Sequence, residues 1–145
     1  MRVFIENEAG SFVKHQHDEN TLELQGTTRV SRAYPFPYGF VLDTSAADGD
    51  NVDCFVVTRQ RLLTRDIVEC EPIGLMEQIE DDEIDHKILA VLPGEQAAVD
   101  RETQQDLVEF ASHVFDHVPD KKMEVGEFRD REAAREFVFE HSRQH

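Results

Sequence analysis

The sequence has few cysteines, no long apolar run and little positive charge, and each shortage excludes a class of protein. Cys54 and Cys70 do not form a Cys-x-x-Cys pair, and no histidine–cysteine cluster has the spacing of a zinc site. Both lie in apolar runs, which predicts buried free thiols in a reducing compartment. No segment approaches the roughly 20 apolar residues of a membrane span. The first six residues do not have the pattern of a signal peptide, so we expect a cytoplasmic protein with no membrane partner.

The shortage of positive charge is pronounced, because 15 lysines and arginines stand against 31 aspartates and glutamates, for a formal net charge of −16. A surface this acidic repels phosphate backbones and argues against a nucleic-acid partner. Most of the carboxylates are expected only to keep the protein soluble. The 145 residues include ten phenylalanines, enough for a single core. We expect one domain over residues 1–145, because no linker or internal repeat divides the chain.

Short apolar segments separated by turn signals run through the first two thirds of the chain and predict β-strands. The predicted strands are Arg2–Glu6, Phe12–His17, segments between Leu22 and Pro35, Phe40–Leu42, Cys54–Val57, Ile67–Cys70, Ile73–Met76 and Ile88–Leu92. Many short strands with close turns favour a small barrel.

After Pro93 the apolar residues change to helical spacing. This spacing predicts a helix over Gln105–Val118, and a short strand is expected over Met123–Phe128. Asp130 is the expected N-cap of a last helix. The phenylalanines of the two helices are expected in the core: Phe110, Phe115, Phe137 and Phe139. The sequence thus predicts a mostly β protein with two C-terminal helices (α+β).

Three carboxylates cluster between two apolar segments, in Asp48-Gly49-Asp50-Asn51-Val52-Asp53. Asp48 and Asp50 project to one side of extended backbone, and Asp53 follows where the chain enters a buried strand. Such anchored carboxylates repel one another unless cations neutralise them. A calcium EF-hand loop needs an oxygen ligand at position 5, glycine at 6 and glutamate at 12, whereas this chain has Val52, Asp53 and Arg59 there. The loop therefore predicts a magnesium or manganese site.

Two further segments contain candidate partners for such a site. The acidic run from Glu77 to Asp85 is typical of a solvated loop, but it leads into Lys87, two residues after Asp85 and on the same side of a strand entry. The stiff turn Tyr34-Pro35-Phe36-Pro37-Tyr38-Gly39 is either an aromatic corner or a source of a phenol, Tyr38, that donates to a phosphoryl oxygen. A lysine and a phenol beside metal-binding acids suit an anionic substrate.

In this order, the segments resemble the soluble family I inorganic pyrophosphatases. That family carries Tyr-Pro-x-x-Tyr-Gly, then Asp-Gly-Asp-x-x-Asp, then a spaced group of two acids and a lysine. The corresponding residues here are Tyr34–Gly39, Asp48–Asp53, and Glu80 with Asp85 and Lys87. Upstream, the family's glutamate, Gly-Ser and lysine correspond to Glu6, Gly10-Ser11 and Lys14. The resemblance runs from about Val3 to Val91 and continues more weakly to Phe137.

The resemblance implies a small closed five-stranded barrel related to the OB-fold, with helices packed against it. It implies a homo-oligomeric hydrolase that converts pyrophosphate, bound as its magnesium complex, to two phosphates, and it makes Asp50 the acceptor of the attacking water's proton. The implied metal ligands are Asp48, Asp53, Asp85, Glu80 and Glu6. The implied phosphate contacts are Lys14, Tyr38 and Lys87.

The chain departs from the family on the phosphate side of the site. Gly26 stands where the family has an arginine, and Arg32, six residues further on, would face the same side of an unbroken strand and replace it. Val114-Phe115 stands where the family has a Tyr-Lys pair, and Lys121-Lys122 follows closely. Three hypotheses stay open: a magnesium-dependent pyrophosphatase of full or reduced activity, a relative acting on another phosphoanhydride or phosphoester, and a weak or non-enzymatic metal-binding module.

Overall fold

The computed structural model describes residues 1–46 and 49–143, and most of its regular structure is β-sheet. In chain order the elements are β1 (Arg2–Asn7), β2 (Val13–His17), β3 (Leu24–Arg29), β4 (Tyr38–Val41), β5 (Asp53–Val56), β6 (Ile67–Glu69), β7 (Glu71–Glu80), β8 (Glu83–Ile84), β9 (Lys87–Val91), α1 (Arg101–His113), β10 (Met123–Arg129) and α2 (Arg131–Glu140). The predicted mostly β fold with two C-terminal helices is confirmed. Neither described helix is long and apolar enough to cross a membrane.

Seven strands form one hydrogen-bonded path in the order β10-β7-β9-β5-β4-β1-β6, and β8 pairs with β7 beside this path. The strands β2 and β3 form a separate antiparallel hairpin. Within the path, β5 and β9 pair in parallel, and this register places Asp53 opposite Lys87. Strand β4 pairs with the other edge of β5 and places Tyr38 opposite Phe55. The pairing therefore places three of the predicted site residues on three adjacent strands.

The predicted closed barrel is corrected to an open sheet. Strand β6 pairs with β1, β7 pairs with β9, and only Cys70 separates β6 from β7 in the chain. The sheet curls back through this covalent link, and no ladder among the described strands joins β6 to β10. Apolar segments and turn signals predict which strands exist, whereas closure depends on where the long β6–β7 segment bends.

Alternate residues of β5 enter two separate apolar clusters, as expected for a strand buried on both faces. Phe55 lies in a cluster with Phe110 of α1, whereas Cys54 lies in a cluster with Ala134 of α2. The two cysteines are buried free thiols, as predicted. The core prediction for Phe139 is wrong, because 64% of this residue is exposed.

Two of the predicted boundaries shift in the structure, the first because of a local helix cap and the second because of cross-strand pairing. Helix α1 begins at Arg101, earlier than predicted, because the Asp100 side chain accepts the Thr103 N–H at 2.8 Å and caps it there. Asp130 caps α2 in the same way, as predicted. The acidic run from Glu77 is not a loop at its start: β7 continues through Glu80 and pairs there with β10 and β8. Cross-strand pairing outweighs the low strand propensity of its acids.

Candidate active site

A cavity of about 380 Å³ collects residues from eight strands, from α1 and from the loop before β5. Eight of the ten site residues predicted from the sequence line it: Glu6, Lys14, Tyr38, Asp50, Asp53, Glu80, Asp85 and Lys87. Asp48 lies outside the described residues. Arg32 does not line the cavity. The motifs are therefore brought together by the fold, although they are spread over more than half of the chain.

Lys87 stands at the centre of a buried polar cluster at the start of β9. Its ammonium donates to Asp53 Oδ2 at 2.7 Å, to Asp85 Oδ2 at 2.9 Å and to Tyr38 Oη at 3.0 Å. The residue is only 6% exposed. The parallel register of β5 and β9 puts Lys87 beside Asp53, and the two-residue spacing puts it beside Asp85. The sequence prediction that Asp85 and Lys87 share one side of a strand entry agrees with this contact.

Burial and the charges of its neighbours both shift the pKa values of this cluster. Burial raises the pKa of Asp85 to about 7, against the opposing effect of Lys87 and with a further contribution from Asp53. Burial alone would lower the pKa of Lys87, but the two aspartates raise it above its ordinary value. The two shifts have different causes, because burial raises the pKa of Asp85 whereas the charges of Asp53 and Asp85 raise the pKa of Lys87 against burial. Lys87 therefore stays cationic beside its partners.

Tyr38 is held as a neutral phenol. Burial, followed by the charge of Asp53, raises its pKa well above the ordinary value. Since an ammonium can only donate, Tyr38 Oη accepts from Lys87, and its own hydrogen is left to donate to another acceptor. This arrangement supports the sequence hypothesis of a phenolic donor.

Glu6 reaches the cavity from β1 and is fixed by the neighbouring hairpin. Its Oε2 accepts the His17 N–H at 2.9 Å and lies 3.2 Å from His17 Nδ1. Burial raises the pKa of Glu6 to about 7, and the charges of Asp53 and Asp50 add to this effect. Burial also lowers the pKa of His17, so the imidazole is neutral near pH 7. The hairpin thus positions Glu6 by hydrogen bonds and leaves its charge for another partner.

Glu19 is a carboxylate of the cavity that sequence reasoning missed. It belongs to the turn between β2 and β3, and its Oε1 accepts the backbone N–H of Asn51 at 2.7 Å. Burial raises the pKa of Glu19 to about 7, and the charges of Asp50 and Asp53 contribute in the same direction. The segment Asp18-Glu19-Asn20 carries only a turn signal in the sequence, and this contact across 32 positions has no local signature.

Arg32 is not brought together with the other predicted residues. Its guanidinium lies 3.3 Å from Glu109 of α1, and its Nη1 donates to the backbone oxygen of Ser31. The prediction assumed an unbroken strand, but β3 ends at Arg29, so the alternation of sides does not extend to Arg32.

Phe115 forms part of the cavity wall, where it is only partly buried instead of lying in the core as predicted. Two ammonium groups lie near its ring: Lys14 Nζ is 5.2 Å and Lys121 Nζ is 5.1 Å from the ring centroid. Both distances are in the range of cation–π contacts. Lys14 therefore lines the cavity with its ammonium beside the ring of Phe115.

The donor atoms of the cavity fit hard divalent cations. Two lysines line it together with six acids: Glu6, Glu19, Asp50, Asp53, Glu80 and Asp85. Asp53 and Asp85 already converge on one positive charge, the ammonium of Lys87. Within residues 1–46 and 49–143, no three acidic, histidine or cysteine side chains stand close enough to form a ready-made metal site. The oxygen ligands are those that magnesium and manganese prefer.

An acid-rich cavity with a buried lysine and a neutral phenol defines a class: a site for a phosphate-bearing anion that is held through divalent cations. Comparison with known proteins agrees with this class. Residues 3–145 match the family model described as inorganic pyrophosphatase. The chain belongs to the inorganic pyrophosphatase family.

Individual relatives support the same assignment. The inorganic pyrophosphatase of Aquifex pyrophilus is 34% identical over 135 residues, covering 87% of this chain and 75% of that protein. Solved inorganic pyrophosphatases from Coxiella burnetii and Thermus thermophilus are each 26% identical, with TM-scores of 0.88 and 0.87. These comparisons cover 97% and 96% of this chain, and 92% and 87% of the solved chains. Several other curated relatives are matched over only 50–56% of their own length.

Proposed function

We propose that the chain hydrolyses inorganic pyrophosphate to two phosphates with divalent cations in the cavity, magnesium first and manganese as the alternative. One observation carries the proposal: eight residues singled out from separate motifs line a single cavity. Family membership supports the substrate. Another phosphoester substrate, or a non-enzymatic metal module, has no observation in its favour.

The acids of the cavity would hold the cations. The ligands we propose are Asp53, Asp85, Glu80 and Glu6, together with Asp48, which lies outside the described residues. When bound, divalent cations supply positive charge that activates a water molecule and neutralises phosphate oxygens. Asp50 lines the same cavity and is the proposed general base that takes the proton of the attacking water.

The proposed phosphate contacts are the two lysines and the phenol that line the same cavity. Lys87 is buried and cationic, and Tyr38 keeps a hydrogen to donate, so both can meet a phosphate oxygen without changing protonation. Lys14 adds a cation at the ring of Phe115. The net charge of −16 does not oppose binding, because the substrate arrives as its magnesium complex with much of its charge already neutralised.

Phosphate release from pyrophosphate in magnesium tests the proposal. Asp50→Asn keeps the shape of the side chain and removes the base, so its turnover is expected to fall by about 10²–10⁴. Asp106→Asn, on the exposed side of α1, is the matched control and is expected to match wild type. Wild-type release no greater than that of Asp50→Asn, with both proteins folded, would contradict the proposal. Single-domain organisation, a cytoplasmic location and a homo-oligomeric state stay predictions.

A further inference from the structure

Lys121 brings a third ammonium to the margin of the cavity from the loop that precedes β10. Its Nζ lies 2.9 Å from Glu80 Oε1, 3.2 Å from Asp81 Oδ2 and 5.1 Å from the centroid of the Phe115 ring. Glu80 and Phe115 both line the cavity. Lys121 is not itself a lining residue, but its ammonium lies beside two side chains that are, at the margin of the cavity.

The backbone fixes which of two neighbouring lysines turns toward the cavity. The Asp81 N–H donates to the Lys122 carbonyl at 2.8 Å, and the Lys122 N–H donates to Asp81 Oδ1 at 2.9 Å. Lys122 Nζ then lies near Asp82 and Glu124, at 3.5 and 3.6 Å, and its side chain is 60% exposed. The Lys121 side chain is 25% exposed and lies beside Glu80 and Asp81 instead. Adjacent residues of equal charge thus have different surroundings.

Lys121 and Lys14 share one aromatic support, although they come from distant parts of the chain. Their ammonium groups lie within 5.2 Å of the Phe115 centroid. A ring attracts cations through its quadrupole but neutralises none of their charge. Two ammonium groups thus lie at one ring on the margin of an otherwise acidic cavity, and an anion is the ligand that they favour once cations neutralise the Glu80 carboxylate beside Lys121.

The Glu80 carboxylate cannot bind a divalent cation and keep its full electrostatic attraction for the Lys121 ammonium at the same time. Its carboxylate is at present shared with Lys121 at 2.9 Å. A cation on Glu80 neutralises that carboxylate and weakens its attraction for the ammonium. We propose that Lys121 is a substrate-binding residue, which gives up Glu80 to the cations and contacts a phosphate oxygen of pyrophosphate. This inference rests on the proposed function.

The test is equilibrium binding of imidodiphosphate, a non-hydrolysable pyrophosphate analogue, by calorimetry at saturating magnesium. Lys121→Met keeps the aliphatic stem beside Phe115 and removes the charge, and is expected to weaken binding at least tenfold, about 1.4 kcal/mol. Lys121→Arg is expected to restore binding to within about threefold, because it returns a donor that recognises phosphate. Lys122→Met, the neighbouring control, is expected to leave binding unchanged.

A purely structural role for Lys121 gives a different result. Lys121 could serve only to link the segment before β10 to Glu80 at the end of β7. Lys121→Met would then free Glu80, so that magnesium binds more tightly while the affinity for the analogue stays at the wild-type value. That result overturns the inference. Equal effects of Lys121→Met and Lys122→Met also overturn it. Failure of the proposed function is separate: analogue binding that depends on Lys121, without pyrophosphate turnover, leaves the inference standing and refutes the hydrolysis.

Discussion

Removing the ammonium of Lys87 is the perturbation whose consequence the structure defines best. Lys87→Met keeps the length of the stem but deletes three hydrogen bonds, to Asp53, Asp85 and Tyr38. Breaking a buried ion pair by removing one partner costs about 3–5 kcal/mol, since the other charge is left uncompensated. The side chains of Asp53 and Asp85 are 27% and 17% exposed, so water screens part of their charge. We therefore expect a loss of stability at the lower end of this range, about 3 kcal/mol.

The assay is thermal and urea unfolding of the metal-free protein. For a chain of this size, about 3 kcal/mol corresponds to a fall in Tm of roughly 10 °C. Magnesium should recover part of the loss in Lys87→Met, because a divalent cation between the two aspartates replaces the missing positive charge. The Tm gain on adding magnesium is therefore expected to be larger in the variant than in wild type.

Lys122→Met serves as the control, because its ammonium is exposed and paired only at the surface, where such pairs contribute about 0–1 kcal/mol. A Tm of Lys87→Met within about 2 °C of wild type would refute the claim that the ammonium neutralises buried carboxylates. A magnesium-induced Tm gain no larger than in wild type would refute the claim that the two aspartates receive a cation.

Three further perturbations follow from single features. Glu6 and Glu19 have a pKa of about 7 in the folded chain against an ordinary 4.5, so they contribute stability at pH 4.5 that is lost as the pH rises through 7; the metal-free protein should melt at a lower temperature at pH 8 than at pH 5. Arg143→Ala removes donors to the Thr44 carbonyl and to Asn51 of the acidic loop, and urea unfolding should show a loss of about 1–3 kcal/mol. Gly39→Ala would place a Cβ 1.8 Å from a backbone oxygen of β1, and should lower stability by more than about 4 kcal/mol, measured by urea unfolding and soluble yield.

The two substitutions have matched controls, and each of the three predictions has a contrary outcome. Gly26→Ala meets nothing within 4 Å and should be nearly neutral, so equal stability of the two glycine variants would contradict the close approach at Gly39. Arg135→Ala, on the exposed surface of α2, should leave unfolding unchanged, and a loss equal to that of Arg143→Ala would remove the special role of the latter. A metal-free Tm that rises from pH 5 to pH 8 would contradict the burial of the two glutamates.

Much of the site could be predicted because its residues lie at fixed spacings beside apolar strands. Asp85 and Lys87 are two apart at the start of a strand, so the period of two alone places them together. The apolar run after Asp53 predicts a buried strand, and the parallel pairing of β5 with β9 then brings Asp53 to Lys87. The remaining site residues were predicted from the order of the motifs along the chain, because this order links segments that no local pattern connects.

The features that sequence reasoning missed depend on where strands end and how turns fold back. Arg32 was expected in the site because the alternation of β3 was continued beyond Arg29, where the strand ends. Glu19 was missed because a turn residue reaches the acidic loop only in three dimensions. Phe115 was expected in the core, but it lies beyond the last residue of α1 and borders the cavity. These outcomes follow from tertiary contacts, which spacing does not encode.

The most direct test of the central claim compares substrates in one reaction. Pyrophosphate, a nucleoside triphosphate and a phosphomonoester are offered together at saturating magnesium, and each is followed by phosphorus NMR. We expect pyrophosphate to be consumed first, with a kcat/KM at least about 100-fold above that of the other substrates. This ratio corresponds to a difference of about 2.7 kcal/mol in activation free energy. Equal or faster turnover of the ester or the nucleotide would contradict the claim that this cavity is built for pyrophosphate.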